Sequence, residues 1–314
     1  MRSVRSFPSE SQRKVAVRRA SNRVAQMGRN RRFTNLEVER FVTDIGLASR
    51  RLVSREYQQS SFQPRNTLRI PDRTGEIFQD LTFYWSVGQV WKNLFQAIAL
   101  SPSARVAEIG CGYVPKVAIG LHYFGALGQV DLIDTDGVAL ERARRFLELM
   151  GARLPVGTVQ GTILDGVVGE YDAVFANHLL DDLILRHVCE RREIDVGALY
   201  AREEMYVSLW REIVTTPDLL YEVIPAFARL LVRSVRPGGV VLLLDYPSFS
   251  HRALGLSDVV DFVRKATRLL RESMRANGAV ILTGIPSTSL RVDRMNVTQD
   301  EIVACRGGGS DGEL

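Results

Sequence analysis

The stretch V-A-E-I-G-C-G-Y-V-P-K-V-A-I-G-L, residues 106–121, constrains the fold more than any other part of the chain. Val106 to Ile109 form a short apolar run of strand length, and Gly110 and Gly112 permit a tight turn. Pro115 suits the first turn of a helix, where its missing N–H is not needed. Glycines in such a turn let backbone N–H groups approach a ligand with no Cβ in the way. A strand, a glycine turn and a helix in this order hold a nucleotide in open α/β sheets. A diphosphate cofactor asks for a third glycine so that helix and strand pack closely, and Val114 and Pro115 stand there instead. Glu108, at the strand end, would repel a diphosphate and attract an ammonium or a sulfonium.

From Arg105 onward the pattern alternates between strand and helix. Strands are expected over about 105–109, 129–134, 156–160, 171–176 and 239–245, with a late pair over about 279–283 and 300–305. The helices between them span about 115–125, 137–150, 217–235 and 257–277. The alternation predicts an α/β fold, a doubly wound, mostly parallel seven-stranded sheet whose last strands form a hairpin. About 40 residues separate Ala176 from Pro217, and Leu199, Tyr206, Trp210 and Ile213 recur there at helical spacing. This reads as a helical insertion over about 183–216 at the carboxyl edge of the sheet, where substrates of such folds bind. The chain thus divides into a basic flexible arm (1–34), a helical N-terminal extension or cap (35–103), a ligand-binding domain (104–306) and a flexible tail (307–314).

Charge separates the arm from the body. Residues 1–70 hold 16 Lys/Arg against 5 Asp/Glu, and the rest hold 25 against 31. Three readings of the arm follow: docking of nucleic acid through residues 1–34 by counterion release, an organellar transit peptide, or a solvated extension. Base stacking within the arm is disfavoured, since no aromatic residue lies between Phe7 and Phe33. No apolar run approaches the roughly 18–20 residues of a membrane span. Cys111, Cys189 and Cys305 are too scattered for a disulfide framework, which suits a reducing, cytoplasmic setting.

Five ordered motifs over about residues 105–306 resemble the class I S-adenosylmethionine-dependent methyltransferase family. They are E-I-G-C-G at Glu108, Q-V-D-L-I-D-T-D closing a strand on Asp134, T-V-Q-G-T-I-L-D, G-E-Y-D-A-V-F-A-N-H-L-L-D-D-L, and V-R-P-G-G-V-V-L-L-L-D-Y-P. The resemblance implies a Rossmann-like methyltransferase fold with S-adenosylmethionine as co-substrate and no metal. It assigns the cofactor to Glu108, Gly110, Cys111, Gly112, Asp134, Thr135, Thr162, Ile163 and Asn177, with Tyr84 folded over it. Asp134 is favoured to accept the ribose hydroxyls, with Asp136 as the second candidate for that role or else the cap of the next helix. Thr162 stands where the family often has an aspartate on the adenine amine, so Thr162, Ile163 or Asp165 would supply that edge.

On the acceptor side, Asn177, His178 and Asp181 approximate the S/N-x-x-x-x-H/D pattern of small-molecule methyltransferases, and Tyr246 stands at the mouth. His178 is the candidate general base, because imidazole titrates near neutrality, with Asp181 or Asp182 to orient it. Asp181 and Asp182 are helix neighbours about 100° apart and make a poor shared metal site. The expected activity is in-line methyl transfer to a small-molecule or peptide-like acceptor. Two alternatives remain open: RNA methylation with the arm as docking element, and aminocarboxypropyl transfer of the nicotianamine-synthase kind, whose G-x-G-x-x-P is matched by Gly110, Gly112 and Pro115.

Overall fold

A computed structural model describes residues 77–112, 114–149, 152–161, 171–196, 199, 202–248, 251, 254–285, 291–292 and 295–307. The basic arm, residues 35–76 of the expected N-terminal extension and the 307–314 tail beyond Gly307 lie outside them. Helix α1 (Ile77–Ala97) leads into β1 (Val106–Ile109), α2 (Lys116–Phe124), β2 (Val130–Asp134), α3 (Gly137–Leu149), β3 (Val156–Gln160) and β4 (Tyr171–Asn177). There follow α4 (Leu180–Arg191), α5 (Glu203–Val214), α6 (Asp218–Arg233), β5 (Val235–Leu244) and α7 (Ser257–Ala276). The chain closes with β6 (Val280–Ile281), β7 (Arg291–Val292), β8 (Met295–Asn296) and β9 (Ile302–Arg306).

The main sheet has seven strands in the order β3-β2-β1-β4-β5-β9-β6. Strands β1 to β5 run parallel, whereas β9 pairs antiparallel with both β5 and β6. This is the doubly wound, mostly parallel sheet that the alternation predicts, with β7 and β8 as a separate hairpin between the last two strands. One boundary differs. Strand β5 begins at Val235 and carries Pro237, Gly238 and Gly239 inside it rather than before it. The register opposite shifts between Tyr171 and Ala173, and Gly238 takes a φ of +75°, so the strand enters through an irregular turn.

Strand side chains alternate between two apolar layers, as burial on both faces of a parallel sheet requires. Val106, Leu132, Phe175 and Leu242 pack with α1, α2 and α3 on one face. Ala107, Ile133, Val174 and Leu243 pack with α4 to α7 on the other. The expected insertion is present as helix: α4 starts directly after β4, and α5 packs on α7. No helix of the described residues is long and apolar enough to cross a membrane.

Helix α1 reaches the sheet through Trp91, whose ring lies against Phe95 and Phe175 and whose Nε1 donates to Asn177 Oδ1 at 2.9 Å. Its approach to α2 depends on two glycines. A Cβ on Gly120 would stand 2.4 Å from the Trp91 Cβ and 3.3 Å from the Gly88 carbonyl. Alanine is worth about 1 kcal/mol over glycine inside a helix, but a clash between two carbons held near the backbone forces the helices apart. Gly120→Ala is therefore expected to destabilise the chain by about 1–3 kcal/mol. A lower urea midpoint at unchanged slope checks this, and an unchanged or higher midpoint contradicts it.

Candidate functional site

The glycine loop is fixed by carboxylates at two strand ends. Gly110 and Gly112 both adopt left-handed backbone, with φ of +61° and +58°, where L side chains are strained. Asp134, at the end of β2, accepts from Gly112 N–H at 2.9 Å through one oxygen and from Asp136 N–H at 3.0 Å through the other. Asp136 in turn accepts from Val138 N–H at 2.8 Å and caps α3, as expected. A Cβ on Gly110 would meet Leu179 at 2.5 Å, whereas one on Gly112 would meet nothing within 4 Å among the described residues. The loop is closed at its first glycine and open at its second.

Glu108 has a different task from the one the sequence suggests. Its side chain is buried, and its two carboxylate oxygens accept from Val117 N–H at 3.0 Å and Ala118 N–H at 2.9 Å. These are the first-turn donors of α2, which no intrahelical carbonyl satisfies. The carboxylate expected to draw a ligand's positive group instead caps the helix, because a buried anion goes to the nearest unpaired donors. Burial pushes its pKa up to about 7 against the lowering effect of the two N–H bonds. The Cys111 thiol also points into the core, so only the backbone of that residue is available to a ligand.

Thr135 bonds through its hydroxyl to Arg186 of α4, and its carbonyl accepts from Gln160 at 3.3 Å. Thr162, Ile163 and Asp165 lie outside the described residues, as does the side chain of Tyr84. Asn177, expected at the cofactor, faces inward: its Oδ1 accepts from Trp91 and its Nδ2 donates to Tyr246 Oη at 3.0 Å. With its amide bridging α1 to the end of β5, Asn177 holds the site together from within.

The expected acceptor residues do converge. His178 adopts a φ of +58° just past β4 and stacks on Tyr246, with ring centroids 5.0 Å apart. Its Nε2 lies 3.2 Å from Asp181 Oδ2, and its Nδ1 lies 3.6 Å from Asp245 Oδ1. Burial works to lower the imidazole pKa, but the charge and hydrogen bond of Asp181, aided by Asp245 and Asp182, raise it to about 9. This pairing favours the imidazolium over the neutral ring that a general base requires. Asp181 is the counterpart: burial raises it, but the His178 charge and hydrogen bond bring it below the usual carboxylate range. Burial and the neighbouring Asp181 push Asp245 upward. Asp182 is exposed.

Two members of this cluster were missed in the sequence. Asp245 follows the apolar run of β5, and because β5 neighbours β4 it falls beside His178, a signal that strand order supplies. His251 carries no sequence signal. It is buried between Tyr206 and Trp210 of the insertion, with Nε2 3.0 Å from Tyr206 Oη and Nδ1 3.9 Å from Asp181 Oδ2. Burial lowers its pKa to about 4. Helix α5 therefore reaches the site through Tyr206. A cleft lined by His178, Asp181, Asp245 and Tyr246 also includes Arg264 and Glu301, which are paired at 3.2 Å.

No family model matches the chain. Over 81 residues it is 38% identical to the ribosomal protein L11 methyltransferase of Exiguobacterium sp., covering 26% of this chain and 25% of that protein. Over 58 residues it is 40% identical to the same enzyme of Bacillus pumilus, covering 18% of each. The matches thus span a quarter or less of these curated relatives. Among solved structures, an O-methyltransferase family protein from Burkholderia thailandensis aligns at 15% identity and a TM-score of 0.44, over 87% of this chain and 72% of that one. Mitomycin 7-O-methyltransferase MmcR aligns at 12% identity and a TM-score of 0.43, over 86% and 70%.

Glu108 gives the site a pH signature in stability. Its folded-state pKa of about 7 lies above the ordinary 4.5, so the folded chain binds the additional proton. Its contribution to stability is complete below about pH 4.5 and is lost as the pH rises through about 7, a fall of about 3 kcal/mol. Urea unfolding of wild type and Glu108→Gln across this range is expected to show that fall in the difference between them. A difference independent of pH contradicts it.

Proposed function

We propose that the chain is an S-adenosylmethionine-dependent methyltransferase that acts on a small-molecule or peptide-like acceptor. The observation that carries this reading is the Glu108 cap. The N-terminus of α2 is where a nucleotide-binding loop would receive a phosphate, and its first donors are already satisfied by the chain's own carboxylate. What the loop leaves for a ligand is the open space at Gly112 and the Asp134 carboxylate beside it. That combination suits a nucleoside with no diphosphate.

When bound, S-adenosylmethionine supplies an electrophilic methyl group on a sulfonium. Asp134 would hold the ribose: each of its oxygens takes one backbone hydrogen bond and has a second lone pair for a hydroxyl. The backbone of Gly110, Cys111 and Gly112 would line the amino-acid end, with Thr135 beside the ribose and Thr162 and Ile163 at the adenine. His178, Asp181 and Tyr246 would face the acceptor, align its nucleophilic atom and exclude water. The names of the curated relatives, which act on a ribosomal protein, support the peptide-like half of the acceptor class.

Asp134→Ala is expected to weaken S-adenosylmethionine binding by about 1–3 kcal/mol, the cost of leaving polar partners unmatched. Calorimetry reads this directly, and unchanged affinity removes Asp134 from the ribose site. His178→Ala is expected to lower kcat with little change in cofactor affinity; turnover equal to wild type removes it from the acceptor side. Identification of S-adenosylhomocysteine as product separates methyl transfer from aminocarboxypropyl transfer, which would leave methylthioadenosine.

A further inference from the structure

Three donor groups, the half-buried His178 and the buried Asp181 and Asp245, meet past the ends of β4 and β5 in a way that methyl transfer by itself does not require. One ligand atom from each of His178, Asp181 and Asp245 can be chosen so that all three lie within 4.8 Å of one another. The closest approaches of the imidazole to the two carboxylates are 3.2 Å and 3.6 Å. These approaches use different ring nitrogens, Nε2 towards Asp181 and Nδ1 towards Asp245, so one ion held by all three residues takes a single nitrogen and draws the farther carboxylate in from within 4.8 Å to the about 3.3–3.6 Å that separates donors about 2.0–2.2 Å from a tetrahedral ion.

Two of the atoms have no hydrogen-bond partner among the described residues: Nδ1 of His178 and Oδ1 of Asp245. The Asp245 side chain is only 2% exposed. Meanwhile the opposite side of each carboxylate is anchored. Asp245 Oδ2 accepts from Leu180 N–H at 2.8 Å, and Asp181 Oδ1 accepts from Asp182 N–H at 2.9 Å. The His178 backbone is pinned by its N–H to Leu244 O at 2.7 Å. Outer hydrogen bonds that aim the inner donor atoms are what a metal site needs. His251 stands behind Asp181, with Nδ1 3.9 Å from Asp181 Oδ2 and its other nitrogen held by Tyr206.

We propose that His178, Asp181 and Asp245 form a binding site for a divalent first-row transition ion. One imidazole with two carboxylates favours Zn²⁺, Mn²⁺ or Co²⁺ over Ca²⁺ and Mg²⁺, which prefer all-oxygen shells. Asp182, the residue that made an Asp181–Asp182 site implausible, takes no part. The site goes beyond the methyl-transfer reading and does not depend on it.

The test uses the full chain after chelator treatment, titrated with Zn²⁺ and Co²⁺ by calorimetry, with Mg²⁺ as control and the visible absorption of Co²⁺ recorded. One equivalent of Zn²⁺ or Co²⁺ is expected to bind in preference to Mg²⁺. Asp245→Asn and Asp181→Asn should each weaken it by about a hundredfold or more, since even outer-shell partners of a metal account for 10–100-fold. Folding of the variants is checked by circular dichroism and by the urea midpoint of unfolding. Absence of Zn²⁺ and Co²⁺ binding, or affinity equal to wild type in both variants, overturns the site. Should both variants fail to fold, the wild-type Co²⁺ spectrum decides: a low-coordinate nitrogen–oxygen site supports the assignment, and a weakly absorbing octahedral, all-oxygen ion overturns it. Failure to bind S-adenosylhomocysteine in metal-free wild type would count against the methyl-transfer reading alone.

Discussion

The arrangement of the site depends on one buried pair of hydrogen bonds, from the N-terminus of α2 to the Glu108 carboxyl group. A helix start presents unpaired N–H groups and a partial positive charge, and it attracts whatever anion is nearest. In this chain the anion comes from the preceding strand, so β1 and α2 are joined across the turn by two hydrogen bonds. The glycine loop is strung between that contact and the Gly112–Asp134 bond. Two carboxylates therefore set its shape, one by closing the helix end and the other by closing the strand end.

Strand order then distributes the chemistry. Strand β1 lies between β2 and β4, and β4 lies beside β5. Asp134 ends β2 on one side of the loop, while His178 and Asp245 follow β4 and β5 on the other. Binding groups collect at the carboxyl ends of such a sheet because the parallel strands β1 to β5 deliver their last residues to one edge. Helix α1 braces this edge through the Trp91–Asn177–Tyr246 chain of hydrogen bonds, and α5 braces it through Tyr206 and His251.

Much of this was legible in the sequence because it is local. Glycine spacing, apolar periodicity and strand–helix alternation are set within a few residues, and they locate β1 to β4, their helices and the Asp136 cap. Side-chain direction is not local. Asn177 turns inward because Trp91, 86 residues earlier, offers it a donor. Asp245 matters because sheet pairing sets it beside His178, which no nearby residue announces. Glu108 shows the same limit within one turn: its charge was readable, but its partner depended on α2 presenting bare N–H groups within reach.

The central claim is that this loop accepts a nucleoside carrying an amino acid and refuses a dinucleotide diphosphate. Calorimetric titration of the full chain with S-adenosylhomocysteine and, separately, with NADH tests it most directly. Saturable one-site binding of S-adenosylhomocysteine with no heat from NADH is the predicted result. Binding of NADH, or no binding of S-adenosylhomocysteine, would contradict the account.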